Sequence, residues 1–197
     1  MITVEADPVL VETRLRGGQL ACPGEGCGES LRPWGWARVR QVHGLPDALR
    51  PRRARCGSCL VSHVLLPVTV LLRRAYAADV IGAVVSARAG GAGHRRAGLG
   101  LAVPAATVRG WLRRLAGRLE PVRVFLLQVA LRAGVDVTVP EALGCPWRDL
   151  LAALGLATAT LRGRFGPVGV LGSVTAWQVA AACSGGRLLA PRWPPAR

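Results

Sequence analysis

Apolar residues recur at helical spacing through the middle of the chain. The clearest series follows an i, i+3, i+4, i+7 pattern on one helix face: Val108, Trp111, Leu112 and Leu115. Pro104 stands just before this series, and its ring fixes a φ that suits the first turn of a helix. These features predict an amphipathic helix over about 105–118.

Two shorter patterns precede this helix and predict helices over 74–89 and 94–101. Three helices in this order, with a tight connection before the third, are typical of a helix-turn-helix, whose third helix enters the major groove of DNA. Ala102 stands in the turn where many such motifs carry glycine. Gly98 and Gly100 each weaken the second helix by roughly 1 kcal/mol relative to alanine.

Ahead of these helices the period of the pattern changes to two. Trp36, Arg38 and Arg40 alternate with Ala37 and Val39, which predicts a strand over about 36–40. A turn over 44–47 returns the chain to a second strand over about 52–55. The segment therefore predicts an antiparallel ribbon.

Two pairs of cysteines flank this ribbon. Cys22 and Cys27 enclose four residues, whereas Cys56 and Cys59 enclose two. A ribbon brings two such turns together, so that four thiolates can hold a structural zinc ion. The pattern predicts a zinc ribbon, with a first turn wider than the commoner two-residue spacing.

Other interpretations of the cysteines stay open. Buried cysteines without a metal are the main alternative, whereas a redox pair lacks the βαβ surroundings typical of one. His63, four residues after Cys59, could replace a thiolate, and His43 is a weaker candidate. Cys145 and Cys183 are expected to be core residues.

The C-terminal part shows three further apolar segments, which predict helices over about 121–134, 145–166 and 173–186. The uncharged stretch over 165–186 is long enough to cross a bilayer, but its glycines and polar residues favour a buried helix instead. The beginning of the chain lacks the pattern of a secretory signal. The chain is therefore expected to be cytoplasmic, where reduced cysteine pairs favour metal over disulfides.

Charge changes this picture most. Among the 197 residues, 26 are arginine and 11 are acidic, none is lysine, and the net charge is +15. A GC-rich genome explains the use of arginine, and a solubility surface competes as an explanation of the charge. A pI of about 11.6 is nevertheless typical of nucleic-acid binders.

The polar face of the helix over 105–118 carries the candidate DNA contacts. Arg109 and Arg113 lie one turn apart and are expected to reach base edges. Thr107 offers a hydroxyl to the DNA backbone. Phosphate contacts are expected from Arg95, Arg96, Arg114 and Arg118. A second contact is expected on the ribbon, through Arg38, Arg40, Arg52, Arg53 and Arg55. The alternative is a solvated arginine face on an ordinary helix pair.

The stretches CPGEGCGESLRPWG, RRARCGSCLVSHVLLP and VPAATVRGWLRRL also carry a resemblance. In this order they resemble the N-terminal zinc-ribbon and helix-turn-helix region of some insertion-sequence transposases. They resemble more closely an actinobacterial family of uncharacterised proteins, a likeness that extends to the terminal AWQVAAACSGGRLLAP. The resemblance implies DNA binding, a relation to mobile elements, and zinc-ligand roles for Cys22, Cys27, Cys56 and Cys59.

Catalysis is not expected. The nuclease of such transposases needs three carboxylates that separate parts of a large domain gather around metal ions. After Glu120 the chain offers only Asp136, Glu141 and Asp149, which lie close together in sequence. These acids are expected to be helix caps and loop residues.

Together the patterns predict an α+β fold: a small β zinc ribbon followed by a mainly α helix-turn-helix and a C-terminal helical region. The predicted segments are an N-terminal strand and helix extension (1–19), the ribbon (20–68), the helix-turn-helix (72–119) and the helical region (120–197). The predicted function is that of a zinc-stabilised protein that binds double-stranded DNA sequence-specifically. No membrane partner is expected, and a homodimer is a candidate assembly. The alternatives are an accessory subunit of a recombination or transcription complex and a truncated transposase.

Overall fold

A computed structural model of the chain describes residues 1–166 and 174–195. These residues form a mixed α+β structure with one four-stranded sheet and seven helices, which confirms the predicted class. In chain order the elements are β1 (Ile2–Val4), α1 (Pro8–Arg16), β2 (Leu31–Trp36), β3 (Arg52–Cys56), β4 (Ser62–Pro67), α2 (Ala78–Ala89), α3 (His94–Leu99), α4 (Ala105–Ala116), α5 (Leu119–Ala133), α6 (Pro146–Phe165) and α7 (Ala176–Cys183).

The sheet has the strand order β1–β4–β3–β2. β1 runs parallel to β4, and the other neighbouring strands are antiparallel. Asp7 begins α1, because its side chain accepts a hydrogen bond from the amide of Val9 and caps the helix. The helix then packs on one face of the sheet in a small core that contains Leu15, Leu31 and Leu65.

The first strand of the ribbon lies earlier than the sequence predicted. β2 covers Leu31–Trp36 rather than 36–40, and after Trp36 the alternation continues only as an isolated bridge between Arg40 and Leu49. The chain pairs early because Leu31 is buried in the core beside α1, opposite Cys56 of β3. β3 begins at the predicted position.

β4 was not predicted as a strand. Its segment was expected to be a bridge into the helices, yet it pairs with both β3 and β1. Buried His63 and Leu65 alternate here with more exposed Ser62 and Val64, as in a strand with one covered face. The apolar run that follows obscures this short alternation in the sequence.

Helices α2, α3 and α4 occupy the three segments for which helices were predicted. The four apolar positions of α4 are all buried: Val108, Trp111, Leu112 and Leu115. α2 begins at Ala78, four residues later than predicted, because the preceding backbone pairs with the ribbon. The amide of His43 donates to the carbonyl of Ala75, and the amide of Ala77 donates to the carbonyl of His43, both at 2.9 Å.

The ribbon meets the helices at His43, a contact that we call the His43 joint. Nε2 of His43 donates to the carbonyl of Leu101, 2.9 Å away, in the connection between α3 and α4. The His43 ring lies 5.4 Å from that of Tyr76, and Tyr76 contacts Trp111 of α4 edge to face at 4.9 Å. Ribbon and helices are thus packed directly on each other.

The C-terminal helices pack against the rest of the helical core. α5 and α6 contact each other through buried residues such as Leu126 and Leu154. Trp177 of α7 lies over Gly82 of α2, where a Cβ atom would come within 2.1 Å of the indole ring. Only glycine allows this close approach of the two helices.

None of the described helices is long and apolar enough to cross a membrane. Residues 167–173, which belong to the uncharged stretch, lie outside the described residues. Cys145 and Cys183 were expected to be core residues. Both are half-buried, and Cys183 packs against a buried cluster of Val68, Val174 and Val179. Burial still raises the pKa of the Cys183 thiol to about 11.

Candidate metal centre and candidate nucleic-acid interface

The four N-terminal cysteines gather at one end of the sheet. Cys22 and Cys27 lie on the loop between α1 and β2, Cys56 ends β3, and Cys59 lies in the turn before β4. All four sulfur atoms lie within 4.8 Å of one another. The distance is 3.5 Å between the Sγ atoms of Cys27 and Cys56, and 3.7 Å between those of Cys22 and Cys59. These residues can hold a metal ion.

Backbone amides point at the sulfur atoms of this cluster. Amides of Cys59 and Ser58 donate to the Cys56 sulfur and, against the effect of burial, lower the pKa of that thiol to about 7. The amide of Gly24 acts likewise on Cys22, but burial and the other three cysteines outweigh it and raise the pKa of Cys22 to about 12. The first thiol of the cluster therefore loses its proton readily, whereas the last thiol stays protonated unless a cation balances the negative charge of the thiolates.

Each cysteine pair ends in the same backbone conformation. Gly28 follows Cys27 with a φ of +59°, and Leu60 follows Cys59 with a φ of +59°. The left-handed region suits glycine and is unfavourable for leucine. The two turns therefore have matching geometry at this position, although their sequences and lengths differ.

The histidines stand outside the group of four sulfurs. Nε2 of His63 lies 3.7 Å from Sγ of Cys22, and its Nδ1 lies 3.1 Å from the amino group of Met1. His63 is thus a buried neighbour of the cluster. His43 lies at the joint with the helices, hydrogen-bonded to Leu101.

The exposed face of α4 carries the candidate DNA contacts. Arg109, Arg113 and Arg114 are exposed, and Thr107 is half-buried. α3 adds two exposed arginines, Arg95 and Arg96. The buried face of α4 points into the helical core. The arginines on the exposed face of α4 therefore do not pack in the core.

A groove of about 490 Å³ runs along one side of α4, and sequence reasoning missed two of its residues. Arg73 and Arg74, just before α2, face Thr107, Arg113 and Arg114 across it. Burial and the nearby Arg114 lower the pKa of Arg74. The signal was present as two adjacent arginines, but they were assigned to the start of a helix that begins only at Ala78.

A second groove, of about 460 Å³, lies on the other side of α4. It is lined by Arg109 and Arg113 together with Arg88, His94 and Trp147. The Arg88 guanidinium lies 6.0 Å from the centre of the Trp147 ring, within reach of a cation–π contact. Arg113 lines both grooves, so the exposed face of α4 lies between two basic grooves.

Arg118 has a different role from the one predicted. Its Nη1 donates to the carbonyls of Ala190, at 2.6 Å, and of Trp193, and its Nε donates to the carbonyl of Arg114 at 2.9 Å. Burial, with Arg114 nearby, lowers its pKa. The guanidinium thus holds the C-terminal segment in place, and the structure corrects its assignment as a phosphate contact.

The ribbon arginines likewise divide into those bonded within the fold and those that remain exposed. Arg52 is committed to Glu12 of α1, at 2.8 Å, and to the carbonyl of Gly35, at 2.6 Å, which removes it from the predicted second DNA contact. Arg38 is exposed, and Arg40 is half-buried with an Nε that has no hydrogen-bond partner among the described residues. Arg53 and Arg55 reach the face of the sheet opposite α1, as described below.

The three late acids do not gather. Asp149, in the first turn of α6, accepts a hydrogen bond from the amide of Leu143 at 2.6 Å. Asp136 and Glu141 lie in the connection between α5 and α6. Within residues 1–166 and 174–195, the four cysteines form the one group of His, Cys, Asp or Glu side chains placed to share a metal ion.

No protein-family model, curated protein or solved structure matches the chain. The likeness to transposases and to an actinobacterial family therefore stays a prediction.

Proposed function

We propose that the chain is a zinc-stabilised protein that binds double-stranded DNA sequence-specifically. The observation that carries the proposal is the exposed arginine face of α4, which lies between two arginine-lined grooves. In the described part of the chain, no carboxylate lines either groove. Arginines packed together without acids repel one another, and a polyanion removes that repulsion.

The arrangement of α2, α3 and α4 supports a helix-turn-helix. Ala102, in the connection before α4, has a φ of +51°, the conformation that glycine adopts easily in such turns. The residue differs from the common glycine, but the backbone conformation is the one that glycine favours. Ala105 and Ala106 at the start of α4 are small, which allows the helix to approach the floor of the major groove.

The arginines have distinct roles in this proposal. Arg109 and Arg113 reach base edges, where a guanidinium can donate two hydrogen bonds to guanine O6 and N7. Arg95, Arg96 and Arg114 neutralise phosphates, as does Arg73, which faces α4 across the groove of about 490 Å³. Phosphate contacts orient the helix, and base contacts select the sequence.

The ribbon holds a structural zinc ion in this proposal, through Cys22, Cys27, Cys56 and Cys59. A tetrahedron with Zn–S bonds of about 2.3 Å places its sulfur atoms about 3.8 Å apart. Two of the sulfur pairs, at 3.5 and 3.7 Å, support that geometry. The amides that donate to Cys22 and Cys56 also suit thiolates, because they stabilise negative charge on sulfur. Metal analysis should find one zinc per chain, and iron in its place would contradict the assignment.

A salt titration of DNA binding tests the proposal. Duplexes selected from a random pool and unselected duplexes are titrated at several salt concentrations against the wild type and single arginine-to-alanine variants. Arg113→Ala should weaken binding to the selected duplex by about 1–3 kcal/mol and reduce the preference for it. Arg73→Ala should weaken both duplexes alike and reduce the salt slope by about 1.

Arg132→Ala is the matched control, because this exposed arginine lies on α5 outside both grooves. It removes the same charge and should leave the ratio of the two affinities unchanged. Wild-type protein without salt-dependent affinity for any duplex would overturn the proposal. The proposal would also be overturned if Arg113→Ala, like Arg73→Ala, weakened the affinity for both duplexes equally.

A protein-interaction module is the second candidate function, and one observation favours it. Apolar side chains are exposed on α5 and on the connection to α6: Leu131, Val135, Val139 and Leu143. Exposed apolar patches mark interaction surfaces in many proteins. In that case purified protein associates with itself or a partner and shows no salt-dependent affinity for DNA.

A further inference from the structure

An exposed tryptophan stands on the outer face of the ribbon sheet. Trp34 of β2 keeps 52% of its surface exposed, although large aromatic side chains usually bury most of theirs. The Arg55 guanidinium lies 4.5 Å from the centre of its ring, a cation–π contact. The ring is therefore held in place by an arginine and remains accessible.

The pairing register assigns Trp34 to this face. On β3, buried Ala54 and Cys56 point toward α1 and the small core, so Arg53 and Arg55 point to the opposite face. Arg55 pairs with Arg32 of β2, and the register shifts by one residue between Pro33 and Gly35. This β-bulge leaves Trp34 beside Arg55 and shifts Trp36 to the other face, opposite Arg52.

We define the platform as the four residues Arg32, Trp34, Arg53 and Arg55. Arg53 is oriented by a hydrogen bond from its Nη2 to Oγ of Ser62, at 3.1 Å, and Arg55 by one from its Nε to the carbonyl of Leu60, at 3.0 Å. Arg32 is exposed, and Glu29 is the acid that lies near it. The platform thus places one guanidinium against the aromatic ring and two more arginines on the same face of the sheet.

We propose that this platform binds single-stranded nucleic acid, with an unpaired base stacked on Trp34 and neighbouring phosphates paired with the arginines. An aromatic ring in a basic groove is the combination by which proteins bind single strands without sequence preference. A duplex cannot use the ring, because its bases are stacked on one another. An apolar protein partner would not need three arginines on the same face of the sheet as the ring.

This inference goes beyond the proposed function, since it gives the ribbon a ligand that α4 does not bind. A chain with both surfaces would bind where a duplex ends in an unpaired strand. The His43 joint packs ribbon and helices directly on each other, so one molecule presents both surfaces together.

The test compares the full-length wild type with two variants of Trp34, using a fluorescent 12-nucleotide oligo-dT. Trp34→Leu keeps an apolar side chain but removes the aromatic ring, and should weaken binding about fivefold or more, as for loss of one stacked base. Trp34→Phe keeps an aromatic ring and should stay within about threefold of the wild type. Bound metal, measured in each sample, shows that the ribbon is folded.

Equal affinity of wild type and Trp34→Leu for oligo-dT would overturn the inference, as would an equal loss in both variants. An acidic peptide that displaces oligo-dT from the wild type and binds more tightly would also overturn it and identify a protein partner instead. Duplex binding, measured in parallel with Arg113→Ala, separates the two proposals. Arg113→Ala should weaken duplex binding and leave oligo-dT binding intact. Wild-type protein that binds oligo-dT but no duplex would remove the proposed function alone.

Discussion

Leu60 holds a left-handed backbone conformation that glycine fills at the matching position of the first cysteine turn. Its φ is +59°, as is that of Gly28, and its side chain is 58% exposed. A residue with a Cβ pays about 1 kcal/mol or more for this conformation. The side chain gives little burial in return. Leu60 is therefore a local cost to the stability of the metal centre.

Replacing Leu60 by glycine should stabilise the protein. We expect Leu60→Gly to raise the free energy of unfolding by about 1 kcal/mol, since relief of the backbone strain exceeds the entropy that glycine loses on folding. Urea denaturation with saturating metal measures the change. Gly28→Ala is the control and should destabilise the protein by a similar amount. A Cβ there meets no atom within 4 Å, so the cost comes only from the left-handed backbone conformation. A less stable Leu60→Gly would contradict this account.

Gly98 and Gly100 look alike in the sequence but differ in the fold. A Cβ on Gly98 would lie 2.5 Å from the carbonyl oxygen of Val103 and 3.1 Å from Val108, whereas a Cβ on Gly100 would meet nothing within 4 Å. We expect Gly98→Ala to destabilise by about 1–3 kcal/mol through overpacking. Gly100→Ala should stabilise by about 0.5–1 kcal/mol, because it reduces the entropy of the unfolded chain. Thermal unfolding of the two variants side by side checks the contrast, and similar effects from both would refute it.

At the scale of elements, α1 is tied to β3 by an ion pair. Arg52 donates a hydrogen bond to Glu12 and lowers the pKa of that carboxyl below its usual 4.5, with a smaller contribution from Arg16, although burial acts the other way. A carboxyl with a lowered pKa in the folded state stabilises the fold at pH values above 4.5. That contribution disappears as the pH falls below 4.5 through the folded-state pKa.

Glu12→Gln should therefore reduce stability near pH 7 and make little difference well below pH 4.5. The expected loss at pH 7 is at most about 1 kcal/mol, because the pair is partly open to solvent. Thermal unfolding of wild type and variant at each pH measures the difference. Acid would also release a metal held by the cysteines, but equally from both proteins, so only the difference between them is interpreted. A difference that grows toward low pH would contradict the sign.

Helices were predicted well because their signals are local. The apolar series of α4, the glycines after α2 and the segments of α5 and α6 all required only neighbours in sequence. The strands depend on partners that are distant in the chain. β2 was placed too late because its pairing is set by burial of Leu31 beside α1, and β4 was missed because its strand pattern merges with an apolar run.

The candidate sites follow the same rule. The cysteine spacing predicted which residues gather, since each pair lies on one turn. Arg118 and Arg52 were assigned to DNA because a sequence shows charge but not partners, and both turned out to be hydrogen-bonded within the fold. Arg73 and Arg74 were missed because only the tertiary structure brings them opposite α4.

At the scale of the molecule, the metal centre and the helical core are built separately. The larger core runs from Leu71 to Trp193, whereas Cys22, Cys27 and Cys56 belong to a small core with β1, α1 and the ribbon strands. A chelator should therefore unfold the ribbon and leave most of the helical signal intact. The binding energy of a structural metal is folding energy for the segment that holds it.

Circular dichroism and metal release during a chelator titration check this expectation. Cys59→Ser should release the metal at a lower chelator concentration than the wild type, because it removes one of four ligands. Cys145→Ser, at the start of α6, is the matched control and should leave metal content unchanged. Loss of the helical signal in step with metal release would show instead that the two cores unfold together.

The His43 joint connects the cysteine cluster's segment directly to the connection before α4, so events at the two ends of the molecule can be thermodynamically coupled. His43 belongs to the ribbon, and the Leu101 carbonyl that it binds lies in the connection before α4. If the chain binds both metal and DNA as proposed, any factor by which the metal raises the affinity for DNA is also the factor by which DNA raises the affinity for the metal, because linkage is reciprocal. Occupancy of a DNA site would then report the supply of metal, and DNA would protect the metal against competing chelators.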